Sequence, residues 1–317
     1  MNKGLLAQAL VSCVGKKAKH DIVECMRKIF GVVALLCVLV VPAVGAAAGG
    51  QTWLSELNAY RQSGGVAATT LDSTNTAALS AHLTYLANTP ASYFSGQYAS
   101  VHTENPAAPA YTAAGSVEAS RSDLIWGVSG MNNKAIIDGW LSSPFHAIGL
   151  LRPGLARIAF ARNSAGYAGA DVISGLGPAS SGPVLFPGNG MLTSISTNFG
   201  GERPNPLESC PWGANALVGV GAIAMLEDSG VPGKTVSGSM STKGGASYTS
   251  AKGNLCIVDA ANYHSSDALY GAIGQEILSG DNAVLLFPRR PLTKGVWNVS
   301  LSVAGMKSIS WSFSESG

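Results

Sequence analysis

Two histidines stand in segments that hold side chains suited to acid–base chemistry or metal binding. His102 opens the run His102–Pro106 (HTENP), and His146 closes the run Trp140–His146 (WLSSPFH). A neutral imidazole can accept a proton as a general base or bind a divalent metal such as Zn²⁺. Acid–base catalysis also needs a carboxylate beside the imidazole, and Glu104 lies two residues after His102. On a strand these two side chains would share a face, whereas in a loop their spacing indicates nothing.

The compact motifs of hydrolases, metalloproteases and nucleotide-binding proteins are absent from the sequence. It contains no Gly-x-Ser-x-Gly, no His-Glu-x-x-His, no phosphate-binding loop and no dinucleotide fingerprint. Ser142 and Ser143 precede His146, but closeness in sequence does not make a catalytic triad. Two histidines with one carboxylate would leave coordination positions to water, so a site for Zn²⁺ or another divalent metal would be weak and open. The sequence therefore establishes no cofactor and favours a non-catalytic role.

The elements that must position these residues begin with a mixture of helices and strands over residues 51–163. Asp72 or Ser73 is suited to cap a helix that continues to Pro90. His82 falls in the middle of that helix, where we expect it to pack in the core. The other predicted elements are a first helix from Trp53 to Tyr60, a short helix from Lys134 to Leu141 that Pro144 ends, mostly loop over residues 91–133, and strands at Leu155–Arg162 and Tyr167–Ile173.

The second half of the chain shows strand patterns instead. Residues 176–183 are rich in small residues and proline, which predicts a linker between a domain at 49–175 and a domain at 184–317. Apolar residues alternate with serine at Val299–Val303 and at Ile309–Phe313, which predicts a hairpin with one buried face. Several such runs favour an antiparallel β-sandwich of immunoglobulin type, so the predicted fold class of the chain is α+β.

Residues 1–48 have the features of a secretory signal peptide. Met26-Arg27-Lys28 is basic, Ile29 to Val44 is apolar, and small residues follow, so we expect cleavage after Ala46 or Ala48. An uncleaved anchor is the alternative, although the apolar run of 16 residues is shorter than the roughly 20 that span a bilayer. Since Met26 resembles a natural start, residues 1–25 are either an over-extended reading frame or a long basic leader. We therefore expect a secreted, extracellular or cell-envelope protein.

Charge and cysteine content agree with export. The leader holds six of the 20 Lys and Arg and two of the 18 acids, which leaves 14 basic and 16 acidic side chains in the remainder. Without a basic excess, nucleic-acid binding is not expected. Cys210 and Cys256 are the only cysteines after the leader, and an exported compartment permits them to form a disulfide, which we predict. The alternative is a pair of buried free thiols.

Taken together, these pieces resemble the CAP superfamily of cysteine-rich secretory proteins, antigen 5 and pathogenesis-related 1 proteins, and most closely its bacterial secreted members. The resemblance covers about residues 51–163. It rests on the order of four pieces: Leu57–Arg61 (LNAYR), His102–Pro106, Tyr111–Gly115 (YTAAG) and Trp140–Pro153. The second half is similar, more weakly, to the β-domain that follows the CAP domain in some bacterial relatives.

The resemblance implies an α-β-α sandwich with a cleft lined by two histidines and two acidic residues, where some members bind a divalent metal. His102 and His146 correspond to the two histidines, and both would be the metal ligands. The acids correspond less well, because residues 121–124 contain no Glu where the family has one and the helix before the second histidine offers only Asp138. Glu104, Glu118 and Asp123 are nearby substitutes. The implied ligand-binding residues are His102, Glu104, Asp138 and His146.

We therefore expect a secreted, non-catalytic binding protein that holds a small apolar or peptidic ligand in the cleft. One alternative is a secreted, protease-like hydrolase that uses His102 or His146 as base together with Glu104. The other is an envelope interaction protein that binds an extracellular or envelope protein through its β-sandwich.

Overall fold

The computed structural model describes residues 52–179, 182–226, 231 and 233–317. The predicted signal peptide lies outside these residues. The chain after Gly50 forms one compact unit, and its two halves share a continuous hydrophobic core. In the described part of the chain, every helix is too short or too polar to cross a membrane.

The N-terminal region contains five helices and a four-stranded sheet among the described residues. The sheet has the order β1-β3-β4-β2, with β1 parallel to β3 and the other pairs antiparallel. The helices are α1 (Thr52–Ser63), α2 (Ser73–Asn88), α3 (Ala113–Ala119), α4 (Asn133–Leu141) and α5 (Pro144–Leu151), and the strands are β1 (Thr70–Leu71), β2 (Ser122–Trp126), β3 (Arg157–Arg162) and β4 (Tyr167–Asp171).

The sheet lies between two helical layers because its strands are apolar on both faces. In β3, Ile158 and Phe160 belong to the cluster that includes α1, α4 and α5, whereas Ala159 and Ala161 pack with α2 on the opposite side. Side chains alternate between the faces of a strand, so each face buries its own layer. Asp72 caps α2, as the sequence predicts, by accepting hydrogen bonds from the amides that follow it.

Two elements of this region differ from the sequence prediction. Residues 91–133, expected to be mostly loop, include helix α3 and strand β2. Pro144 begins helix α5 instead of only ending α4. Proline suits the first position of a helix, because its missing N–H has no partner to lose there and its fixed φ is already helical.

The C-terminal region consists mainly of two sheets. One has the order β10-β11-β7-β5 and is antiparallel; the other has the order β6-β13-β12-β8-β9, with only β6 parallel to its neighbour. The strands are β5 (Val184–Phe186), β6 (Leu192–Thr193), β7 (Ala222–Met225), β8 (Val236–Thr242), β9 (Ser247–Thr249), β10 (Leu255–Val258), β11 (Ala283–Pro288), β12 (Gly295–Val303) and β13 (Ile309–Glu315), and helix α6 (Gly271–Gly280) lies between β10 and β11.

The two sheets pack against each other. Together with the helices and the sheet of the N-terminal region, they confirm the predicted α+β class. Gly238 of β8 lies against the Leu286 side chain of β11, where a β-carbon would come within 2.7 Å of a methyl group. The predicted hairpin forms between β12 and β13, with Val299 opposite Trp311. The predicted disulfide joins Cys210 to Cys256. An immunoglobulin-type connection of the strands, and the division into two domains with a linker at 176–183, stay predictions.

Candidate functional site

A cavity of about 840 Å³ lies where the two regions meet. His102 and His146 both line it, together with residues of β2, α5 and the segment after β4. The C-terminal region contributes Arg203, Tyr270 and helix α6 to the lining. Residues 44 positions apart in the chain therefore face the same space, and neither region encloses that space alone.

His146 lies in the first turn of α5 and is held by a residue of the C-terminal region. Its Nδ1 lies 2.8 Å from Oε1 of Glu202. The same oxygen accepts hydrogen bonds from the backbone amides of Phe145 (2.8 Å) and His146 (3.1 Å). Glu202 is almost fully buried and does not itself line the cavity, so it supports the imidazole from behind.

The surroundings of His146 favour its charged form. Burial lowers the pKa of His146, but the carboxylates of Asp123 and Glu202, with a hydrogen bond to the Leu124 backbone, together raise it to about 9. Burial raises the pKa of Asp123 to about 7, against the opposing effect of His146 and Arg152. Asp123 lines the cavity, and one of its carboxylate oxygens, Oδ2, is buried without a hydrogen-bond partner in the described structure.

The surroundings of His102 favour its uncharged form, in contrast to those of His146. Its Nδ1 lies 3.0 Å from the carbonyl oxygen of Ala119, so Nδ1 must carry the hydrogen. Its ring packs edge-on against Tyr270, with the ring centroids 5.8 Å apart. Burial lowers the pKa of His102 to about 4, and the positive charge of His146 adds to the effect. At neutral pH, His102 is therefore uncharged and its Nε2 offers a lone pair.

The two acids predicted for the site lie elsewhere. Glu104 is buried beside His82, with Oε1 2.9 Å from His82 Nδ1, and it also accepts the Thr112 amide. His82 thus packs in the core, as the sequence predicts, and takes the carboxylate that was assigned to His102. Asp138 forms a salt bridge with Lys134 at 2.7 Å. Neither Glu104 nor Asp138 lines the cavity.

The donor set does not fit a metal ion. No group of three or more His, Cys, Asp and Glu side chains is arranged to hold a metal within residues 52–317 as far as these are described. His102 and His146 each use Nδ1 for a hydrogen bond, to the Ala119 carbonyl and to Glu202, so each has only Nε2 left to face a metal. Two imidazole nitrogens are fewer than the three protein ligands of an open zinc site.

Several residues of the site carried no usable signal in the sequence. Asp123 lies in residues 121–124, near the place of a family glutamate, and the sequence predicts it only as a substitute. Arg152 lies in the motif after His146 but was given no role. Glu202 and Tyr270 lie in loops of the second half, 56 and 124 residues after His146, and no spacing rule connects them to the cleft.

Comparison with known proteins identifies the N-terminal region. Residues 54–173 match the family model described as the cysteine-rich secretory protein family, CAP. No curated protein and no solved structure gives a significant match to the chain. The matched segment contains most of α1, helices α2 to α5, all four strands of the first sheet and both cleft histidines. Residues 54–173 are therefore a CAP domain of the cysteine-rich secretory protein family, joined to a β-rich C-terminal region.

Proposed function

We propose that the protein is a secreted, non-catalytic binding protein whose cleft holds a small ligand with an apolar body and a hydrogen-bonding end. The observation that supports this most directly is the shared cavity of His102 and His146. Its volume of about 840 Å³ falls in the range of roughly 300–1,000 Å³ of small-molecule sites. Phe145, Val172 and Ile277 supply apolar lining on both sides.

The polar groups of the cavity favour a neutral ligand that donates hydrogen bonds. His102 offers an acceptor nitrogen, and the Asp123 carboxyl has an unpartnered oxygen. Two of the charged side chains of the lining are already paired: Arg152 lies 3.0 Å from Asp281, and His146 is paired with Glu202. Arg121 and Glu276 also line the cavity, but they are exposed and can keep their charges in contact with water. A hydroxyl or amide N–H would satisfy the acceptors without burying a new charge, which would be costly.

The alternative of a hydrolase is less well supported. Glu104 is engaged by His82 and is not beside either cleft histidine. His146 is charged at neutral pH and cannot act as a base, whereas His102 has no carboxylate to orient it among its described hydrogen bonds. In the described structure, no serine or threonine hydroxyl hydrogen-bonds to the ring of either residue, so an activated nucleophile is missing.

A pair of fluorescent probes tests this proposal. 1-Aminoanthracene has an apolar body with an N–H donor, and anthracene has the same body without it. We expect the purified full chain to bind 1-aminoanthracene saturably and about tenfold more tightly than anthracene, the effect of one well-made hydrogen bond in a dry site. His102→Ala should abolish this preference.

Asp138→Asn is the matched control, because Asp138 lies outside the cavity. We expect this variant to retain the preference for the amine. Mass spectrometry of an organic extract of the native protein provides an independent reading. Absence of saturable binding together with an empty extract would remove the support for a binding function.

A further inference from the structure

The segment that carries Glu202 is fixed against the CAP domain. The Phe199 amide donates to the carbonyl of Ser142, between α4 and α5, at 2.9 Å. On the other side, Arg203 forms a 2.8 Å ion pair with Asp267 and lies over the Tyr270 ring. Glu202 is thus placed by contacts before and after it, with its carboxylate directed at the start of α5.

Helix α5 needs a partner at this end. The first four amides of a helix have no acceptor within the helix, and the preceding residue normally supplies one. Ser143 precedes α5 but makes no side-chain capping bond; its hydroxyl donates to the carbonyl oxygen of Gly139 in α4. Oε1 of Glu202 accepts the amides of Phe145 and His146, so a carboxylate from the C-terminal region caps the helix.

The same oxygen also holds the ring of His146. Nδ1 donates to it at 2.8 Å, which fixes both the rotation of the ring and its hydrogen. The other charged or titratable groups around the ring are Asp123 on β2 and His102 before α3, and Arg152 after α5 acts on Asp123. The second oxygen of Glu202 is buried without a partner among the described residues.

We propose that Glu202 is the positioning residue of the cleft, so that a residue outside the CAP domain takes over the role of a cleft acid and completes the site. One oxygen joins the helix start and the imidazole, and it thereby sets where His146 meets the cavity. The C-terminal region is then part of the binding site and not an independent module. Only the effect on ligand affinity rests on the proposed binding function.

The ring hydrogen of His146 gives a direct test in the full chain. A histidine Nδ1–H bonded to a buried carboxylate gives a downfield proton resonance that exchanges slowly with water. We expect this resonance in the 15N-histidine-labelled protein at pH 7.5, assigned by its loss in His146→Asn. Its absence from the wild-type protein would overturn the proposal without requiring any variant to fold.

Glu202→Gln distinguishes two roles of Glu202: positioning of the His146 ring and capping of helix α5. The amide oxygen of Gln still accepts backbone N–H groups, but the negative charge is gone. We expect the downfield resonance to disappear or move strongly upfield and 1-aminoanthracene to bind about tenfold more weakly. Glu56→Gln is the matched control, since Glu56 contacts Lys134 away from the cavity.

The two readouts distinguish the two proposals. An unchanged His146 resonance in Glu202→Gln would contradict the positioning role, whatever the probe does. A resonance that responds as expected, in a chain that binds no probe, would leave Glu202 as the positioning residue and reject the proposed function. Unchanged probe affinity despite an altered resonance would contradict the link between Glu202 and the ligand.

Discussion

At the scale of single residues, His102 and His146 differ by their surroundings and not by their type. Burial keeps His102 neutral and lowers its pKa to about 4. Burial acts on His146 too, but the carboxylates of Asp123 and Glu202 outweigh it and raise the pKa to about 9. Two histidines of one cleft thus carry different charges at neutral pH, which suits one as an acceptor and the other as a fixed charge.

We predict that these two histidines titrate at opposite ends of the pH range and that both limit stability. Between pH 6.5 and 4, the unfolded chain binds a proton at His102 that the folded chain does not, so the free energy of unfolding falls as the pH falls. Between pH 6.5 and 9, the folded chain retains a proton on His146 that the unfolded chain has lost, so the free energy falls as the pH rises.

Histidine NMR titration measures the two pKa values, and urea denaturation across the pH range measures stability. His102→Gln should reduce the loss of unfolding free energy between pH 6.5 and 4 by about 2 kcal/mol. Titration of both cleft histidines near pH 6.5 would show that the cleft is open to solvent and would contradict this prediction.

At the scale of elements, Arg61 joins helix α1 to the end of helix α5. Its guanidinium is completely buried and donates to the carbonyl oxygens of Leu150 (2.7 Å) and Leu155 (3.0 Å). It also reaches the carbonyls of Ala67 and Arg152. Burial without a described counter-ion lowers its pKa to about 10. Arg61 therefore satisfies the Leu150 carbonyl in the last turn of α5 and carbonyls of the loops that flank the helices.

We predict that Arg61→Met destabilises the fold by about 3 kcal/mol, because the carbonyls of Leu150 and Leu155 would stay buried without donors. Urea denaturation of the variant measures this loss. Gln62→Met is the matched control on the next, exposed position of α1 and should change the free energy by less than about 0.5 kcal/mol. Equal effects of the two variants would show that the carbonyls find other donors.

Local sequence predicted those elements whose signals are complete within the element. Asp72 caps α2 and the serine alternation sets the β12–β13 hairpin, because capping and alternation involve neighbours in the chain. Helix α6 was missed, since its three glycines weaken the helical pattern and packing against β11 and α5 must supply the stability. Pro144 permits either the end or the start of a helix, and in the structure it begins α5, where Glu202 accepts two of the first amides.

At the scale of the whole molecule, the disulfide fixes the segment that follows Glu202. Cys210 ends the short helical turn Pro206–Ser209, and its partner Cys256 lies in β10 of the first C-terminal sheet. We predict that Cys210→Ser combined with Cys256→Ser lowers the free energy of unfolding by about 2–4 kcal/mol, because the cross-link closes a 46-residue loop in the unfolded chain.

Thermal denaturation of the double variant measures this effect, and a thiol assay of the unreduced, denatured chain without residues 1–48 should find no free thiol. Since the cross-link lies after Glu202 in the chain, the loss of free energy of probe binding at 25 °C should be smaller than the loss of free energy of unfolding. Detection of two free thiols in this wild-type chain would contradict the disulfide.

The sequence by itself determined the CAP domain, through the order of its four pieces, and it singled out His102, His146 and the two cysteines. Only the tertiary structure decided the partners of these histidines: Glu104 pairs with His82, and His146 receives Glu202 from another region. Periodicity within a helix or strand reports which residues share a face, whereas a contact across 56 residues depends on how whole elements pack. The cleft is built from contacts between residues far apart in the chain, and its chemistry therefore follows from the packing of whole elements.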